Sequence, residues 1–173
     1  MATRAHFETL ARYNRWMNER LYAACRELSD ADRKQDRGAF FRSIHGTLNH
    51  GLLGDRLWLA RFRQETFPVT GLDQELYADF DALSQARSRT DDAIDAFVAS
   101  LEDAALAAPF RFHAIVVDRE FRFELRFLVT HFFNHQTHHR GQLTTLLSQA
   151  GVEPGVTDLL WLPGAELGPA GSA

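Results

Sequence analysis

Apolar residues recur every three or four positions through four long stretches of the chain, and each stretch predicts an amphipathic helix. In the first, from about Thr3 to Leu28, the repeating positions are Phe7, Leu10, Met17, Leu21, Ala24, Cys25 and Leu28. A polar loop from Asp30 to Gly38 separates it from a second predicted helix, about Ala39 to Gln64, whose stripe is Phe40, Ile44, Leu48, Trp58 and Phe62. Phe67-Pro68 and Gly71 mark the next break. A third helix is predicted from about Gln74 to Leu101, with Leu76, Phe80, Leu83, Ile94, Phe97 and Leu101 on its apolar face. Between Pro109 and Glu124 the period drops to two: Phe110, Phe112, Phe121 and Phe123 alternate with Arg111, His113, Arg122 and Glu124. Such alternation around a turn near Asp118 predicts a β-hairpin, with His113 exposed. The fourth helix, about Leu125 to Ala150, stops at Gly151, a residue suited to the left-handed position after a helix, and Pro154 prevents resumption. The segment Asp158 to Pro163 is expected to fold back against the helices, and Gly164 to Ala173 to form a frayed tail. Four long amphipathic segments make an all-α four-helix bundle the natural architecture, with the hairpin inserted before the fourth helix.

Several polar residues interrupt the apolar faces. Asn14 needs hydrogen-bond partners there, either within the core or along a cavity. Asp55 falls inside the second stripe, where a carboxylate requires a cation or donors. Arg87 falls on the third, where it either pairs with a buried acid such as Asp55 or offers its fork to an anionic substrate. Cys25 reads as a small core residue rather than a reactive thiolate. Leu53 and Leu57 lie about 120–160° from the centre of the second stripe, facing either a partner subunit or a pocket.

The fourth helix carries His131, His135, His138 and His139 within HFFNHQTHHRGQ. Stepping about 100° per residue from His131, the apolar stripe spans about 60° to 120°, with His139 at about 80° and His135 at about 40°. His131 and His138 fall at about 0° and −20°, toward the boundary with solvent. His135 and His139 therefore form an inward pair four residues apart, a spacing that lets two imidazoles share one metal ion. On the second helix His45 and His50 point about 140° apart, so both cannot face one site. His50 is flanked by Thr47, Gly51 and Gly54. Those small residues either leave room for a ligand or permit close helix packing.

Composition narrows the function classes. The chain has 173 residues, is 45% hydrophobic and 24% charged, and carries a net charge of −4. Interspersed charges with a slight acidic excess argue against a nucleic-acid partner. A single cysteine fits a reducing compartment, and no secretory signal or membrane-length apolar run is present, so a soluble cytoplasmic protein is expected. Gln136 follows His135 where a zincin would have glutamate, which argues against a peptidase of that type. The Glu-x-x-His pairs of di-iron bundles and the Cys-x-x-Cys-His of covalent haem are missing too.

The stretch SIHGTLNHGLLGDRLWLARF (Ser43 to Phe62), then HFFNHQTHHRGQLTTLLSQAG (His131 to Gly151), resembles the DinB/YfiT-like metalloenzymes. The opening YNRWMNERLYAACRELSD (Tyr13 to Asp30) and closing GVTDLLWLP (Gly155 to Pro163) are similar to members of that family as well. The resemblance implies one bundle domain over residues 1–163, usually dimeric, with a divalent ion held by His50, His135 and His139. It decides His50 over His45. Zinc and nickel both suit such ligands. It further implies a small-molecule substrate, a low-molecular-weight thiol as cosubstrate, and S-transferase or hydrolase chemistry through a metal-bound water or thiol. The competing readings are a non-catalytic metal-binding module of a stress response, and a bundle whose histidines serve structure alone.

Overall fold

The computed structural model describes residues 2–114 and 118–166. Its long helices are α1 (Arg4–Arg26), α3 (Ile44–Phe62), α4 (Phe80–Ala99) and α5 (Leu125–Gln149), with a five-residue α2 (Asp30–Lys34) between the first two. Side-chain oxygens cap the N-termini of α1 to α4. Thr3, Ser29, Ser43 and Asp79 accept from His6, Asp32, Gly46 and Ala82 amides respectively. Each cap satisfies a backbone donor that the helix itself leaves unpaired.

Helix α1 packs beside α4 and α5, and α3 packs beside the same two, so α1 and α3 stand on opposite corners. One core cluster joins Phe7, Trp58, Ile94 and Phe133; the other joins Leu21, Ile44, Leu83 and Leu147. The early part of α1 and α5 thus meets the late part of α3 and α4, so α1 runs parallel to α5 and α3 parallel to α4. Fully burying side chains such as Phe7 and Phe132 contributes about 1.5–3 kcal/mol each. A layer of buried polar side chains separates the two clusters: Asn14, Asp55, Arg87, Asp91, Gln136 and Arg140.

The hairpin is present. Strands β1 (Pro109–Ala114) and β2 (Arg119–Glu124) pair antiparallel, with Phe110 opposite Phe123 and Phe112 opposite Phe121. His113 is exposed as expected. Residues 115–117, between the two strands in sequence, lie outside the described residues, as do residues 167–173 of the expected tail.

Five expectations are corrected or narrowed by the structure. The second helix begins at Ile44 rather than Ala39, because Arg42 adopts a positive φ of 65° and Ser43 caps the helix. Phe40 therefore leaves the apolar stripe and is 83% exposed. The third helix begins at Phe80 rather than Gln74, set by the Asp79 cap. The polar loop after α1 holds the short α2, whose Asp30 and Lys34 pair at i, i+4. Leu53 and Leu57 are buried within the chain itself, which removes the partner-facing alternative, and Leu57 borders a pocket. The segment Asp158 to Pro163 folds back only in part. Leu162 is buried and Arg12 donates to the Pro163 carbonyl at 2.9 Å, while Leu160 and Trp161 point outward.

Candidate metal centre

Helices α3 and α5 lie side by side, and at the level of the polar layer they bring His50, His135 and His139 together. Nε2 of His139 stands 3.0 Å from Nε2 of His50 and 3.0 Å from Nε2 of His135. Nitrogens bound at about 2.0–2.1 Å to one divalent ion would be separated by about 3 Å, as these are. The three side chains could hold a metal ion.

The hydrogen bonds on the far side of the rings sharpen the argument. Nδ1 of His50 donates to the Leu72 carbonyl at 2.7 Å, and Nδ1 of His139 donates to Oε1 of Gln142 at 2.8 Å. A neutral ring that donates from Nδ1 keeps a bare lone pair on Nε2. Two such lone pairs pointing at one another repel, and a cation between them removes the conflict. These acceptors also fix ring orientation, as outer partners of metal-bound histidines do. His135 differs: among the described residues no acceptor meets its Nδ1. Outer acceptors of this kind therefore serve two of the three candidate ligands, His50 and His139.

Protonation favours the same role. Burial pulls His135 down to about 3, helped by His139 and His50 nearby. Burial likewise brings His139 to about 4, against the opposing pull of Gln142. His50 is lowered too, by burial, with the Leu72 bond resisting. All three are neutral near pH 7 and have lone pairs to give.

The other candidates fall elsewhere. His45 is buried with its Nε2 2.8 Å from the Tyr77 carbonyl, away from the cluster. His131 and His138 are exposed, as the helical wheel predicts. Cys25 is fully buried and burial pushes its thiol up to about 12, so it is protonated and inert. Gly54, read beside His50 as either room for a ligand or close helix packing, is packed closely against His135, while a side chain on Gly51 would meet nothing within 4 Å.

Beneath the histidines lies the polar layer. Nη1 of Arg87 donates to Oδ2 of Asp55 at 2.5 Å, and its Nη2 lies 2.8 Å from Oδ1 of Asp91. Pairing rather than substrate capture thus occupies Arg87. Gln136 Nε2 donates to the other Asp55 oxygen at 3.0 Å, so the residue after His135 is tied to that ion pair. Asn14 accepts from Arg140 at 2.8 Å and also borders a cavity of about 50 Å³, so both readings of this amide hold. His135 and His139 form part of that cavity's wall.

Four contributors escaped the sequence reading. Phe41 stacks on His50 with ring centroids 3.7 Å apart and planes at 15°, covering the site from the loop before α3. Leu72 acts through its carbonyl, which no side-chain pattern reveals. Asp91 joins the ion pair from one turn beyond Arg87, and its i, i+4 spacing was a readable signal. Gln142 follows His139 at i, i+3, and that too was legible.

Fold and site together define a helical-bundle protein with a three-histidine cluster able to hold a metal ion. The sequence model of the DinB family matches residues 1–170, and the chain belongs to that family. Protein DinB of Bacillus subtilis (strain 168) is 26% identical over 164 residues, covering 86% of this chain and 88% of that protein. A DinB-like protein from Bacillus cereus ATCC 10987, known from its crystal structure, superposes with a TM-score of 0.58 at 21% identity. That likeness covers 81% of this chain and 90% of the other, and it bears on the fold. Among the described residues no helix is long and apolar enough to cross a membrane.

Proposed function

We propose that the protein is a metal-dependent enzyme that transfers a small thiol, or water, to an electrophilic small molecule. The observation carrying this reading is the convergence of three neutral imidazole nitrogens at one point, two of them 3.0 Å from the third. Three protein ligands leave coordination positions open, as catalytic sites do. A divalent ion there, zinc or nickel by ligand type, would acidify a bound water or thiol near neutral pH.

The chain's own residues prepare that chemistry. Leu72 and Gln142 hold His50 and His139 with their lone pairs directed inward. Phe41 shields one face of His50 and limits water there. The buried, protonated Cys25 supplies no nucleophile, which favours a thiol brought in from solution. A homodimer and a cytoplasmic location belong to the same reading, by family resemblance and by the single buried cysteine.

The test is metal analysis of protein purified without a histidine tag, followed by assay of electrophiles with and without added low-molecular-weight thiols. Stoichiometric metal with thiol-dependent turnover supports the enzyme. Metal without turnover across such a panel favours a non-catalytic stress-response module. Absence of metal overturns both.

A further inference from the structure

The cavity next to His135 and His139 sets polar side chains into a wall whose exposed area is mostly apolar. Tyr22, Arg87 and Gln136 all border it, and each is at least nine-tenths buried. Among the described residues Tyr22 Oη, Arg87 Nε and Gln136 Oε1 have no hydrogen-bond partner. Leaving such groups dry is costly, and buried polar groups without protein partners are commonly met by ordered water. At roughly 10–15 Å³ of this kind of volume per molecule, the cavity's 50 Å³ has room for about three to five waters. Unspent donors on Tyr22 and Arg87 and the unspent acceptor on Gln136 suit water, which both accepts and donates.

A second feature gives those waters a direction. On the outer surface between α1 and α4 lies a groove of about 270 Å³, bordered by Arg15, Glu19, Ser84 and Ser88. Asn18, Tyr22 and Arg87 border both the groove and the inner cavity, so they form the wall between the two. Asn18 is half-buried and donates to Asp91 at 2.9 Å. Phe41 covers His50 from another side, the loop before α3.

We propose that the inner cavity is a water site, anchored by Tyr22, Arg87 and Gln136, and that its waters join the three-histidine centre to the groove between α1 and α4. The centre thereby has a route for water separate from the side covered by Phe41. The water site stands on those three unpartnered polar groups alone; its supply to a metal rests on the reading given under Proposed function.

Two measurements test the parts separately. A crystal structure at water-resolving resolution, of protein with and without metal, is expected to show ordered waters bonded to Tyr22 Oη and Gln136 Oε1 in both forms. A dry cavity, or one filled by an anion or organic molecule, overturns the water site. Tyr22→Phe should lose one of these waters and keep the fold. For the route, the probe is copper(II) alone, read by its enhancement of water-proton relaxation in the loaded protein. Asn18→Leu, which seals the wall with an apolar side chain, should bind copper equally and lose part of the enhancement. Equal binding with unchanged enhancement overturns the route. Failure of the parent protein to bind copper overturns the metal reading and with it the supply route, while the crystallographic waters still decide the site.

Discussion

A methyl group added to Gly54 would stand 3.1 Å from Cε1 of His135 and 3.6 Å from its Nδ1. The glycine on α3 therefore sets how closely the α5 imidazole can sit. Gly54→Ala should push that ring by a few tenths of an ångström and weaken metal binding, read by competition with a chelator. Gly51→Ala is the control, since its methyl group would meet nothing within 4 Å. That variant should bind metal as the parent does and gain about 0.5–1 kcal/mol of stability from the lower flexibility of alanine in a helix. Equal metal affinity in both variants would remove the spacing role of Gly54.

The ligand set separates cleanly by substitution. His50→Ala, His135→Ala and His139→Ala should each lower metal occupancy sharply, because each removes one of three converging nitrogens. His138→Ala should leave occupancy nearly intact, because that ring is exposed and outside the cluster. Titration with a buffered metal series measures all four. Loss of metal in His138→Ala comparable to that in His139→Ala would place the site on the wrong face of α5.

Arg87 is shared between two buried carboxylates, and that sharing makes its two neighbours unequal to it under mutation. Arg87→Met would leave both Asp55 and Asp91 without their cation and should cost about 3–5 kcal/mol. Asp55→Asn would leave Arg87 with Asp91 and keep an acceptor for Gln136, so its cost should be smaller. Denaturant unfolding of both variants decides. A larger loss from Asp55→Asn than from Arg87→Met would contradict the shared arrangement.

Asp91 supplies a pH signature. Burial raises it to about 6 from the ordinary 3.8, with Asp55 adding to the rise and Arg87 opposing it. The folded protein thus holds this proton over a range where the unfolded chain has released it. Asp91's contribution to stability consequently grows as pH falls from about 6 to about 4 and fades as pH rises through 6. The slope is on the order of 1.4 kcal/mol per pH unit for a full proton. Relative to Asp91→Asn, the parent should therefore gain stability on acidification across that window, measured by denaturant midpoints. A difference between the two proteins that is flat with pH would show Asp91 ionised throughout.

Much of the architecture was legible because burial imposes periodicity. The stripes of α1 and α5 follow the 3.6-residue repeat, and the alternation from Phe110 to Phe123 follows the two-residue repeat of a strand. Helix starts were less legible, because a cap depends on local backbone geometry. Phe40 and Leu76 continue the apolar spacing of the following helices, yet Ser43 and Asp79 start those helices later.

By itself the sequence determined the mainly helical pattern, the inward direction of His135 and His139, and the burial of Asp55 and Arg87. All of these depend on spacing along one helix, where residue separation converts directly into angle. The tertiary structure alone decided that His50 reaches His139 from 89 positions away, that Leu72 and Phe41 fix and cover that ring, and that Asp91 shares Arg87 with Asp55. Those relations depend on which helices become neighbours, at what height, and on how loops pass over them. No periodicity within one segment encodes them, because they arise only when the packing of all four long helices sets the distances between segments.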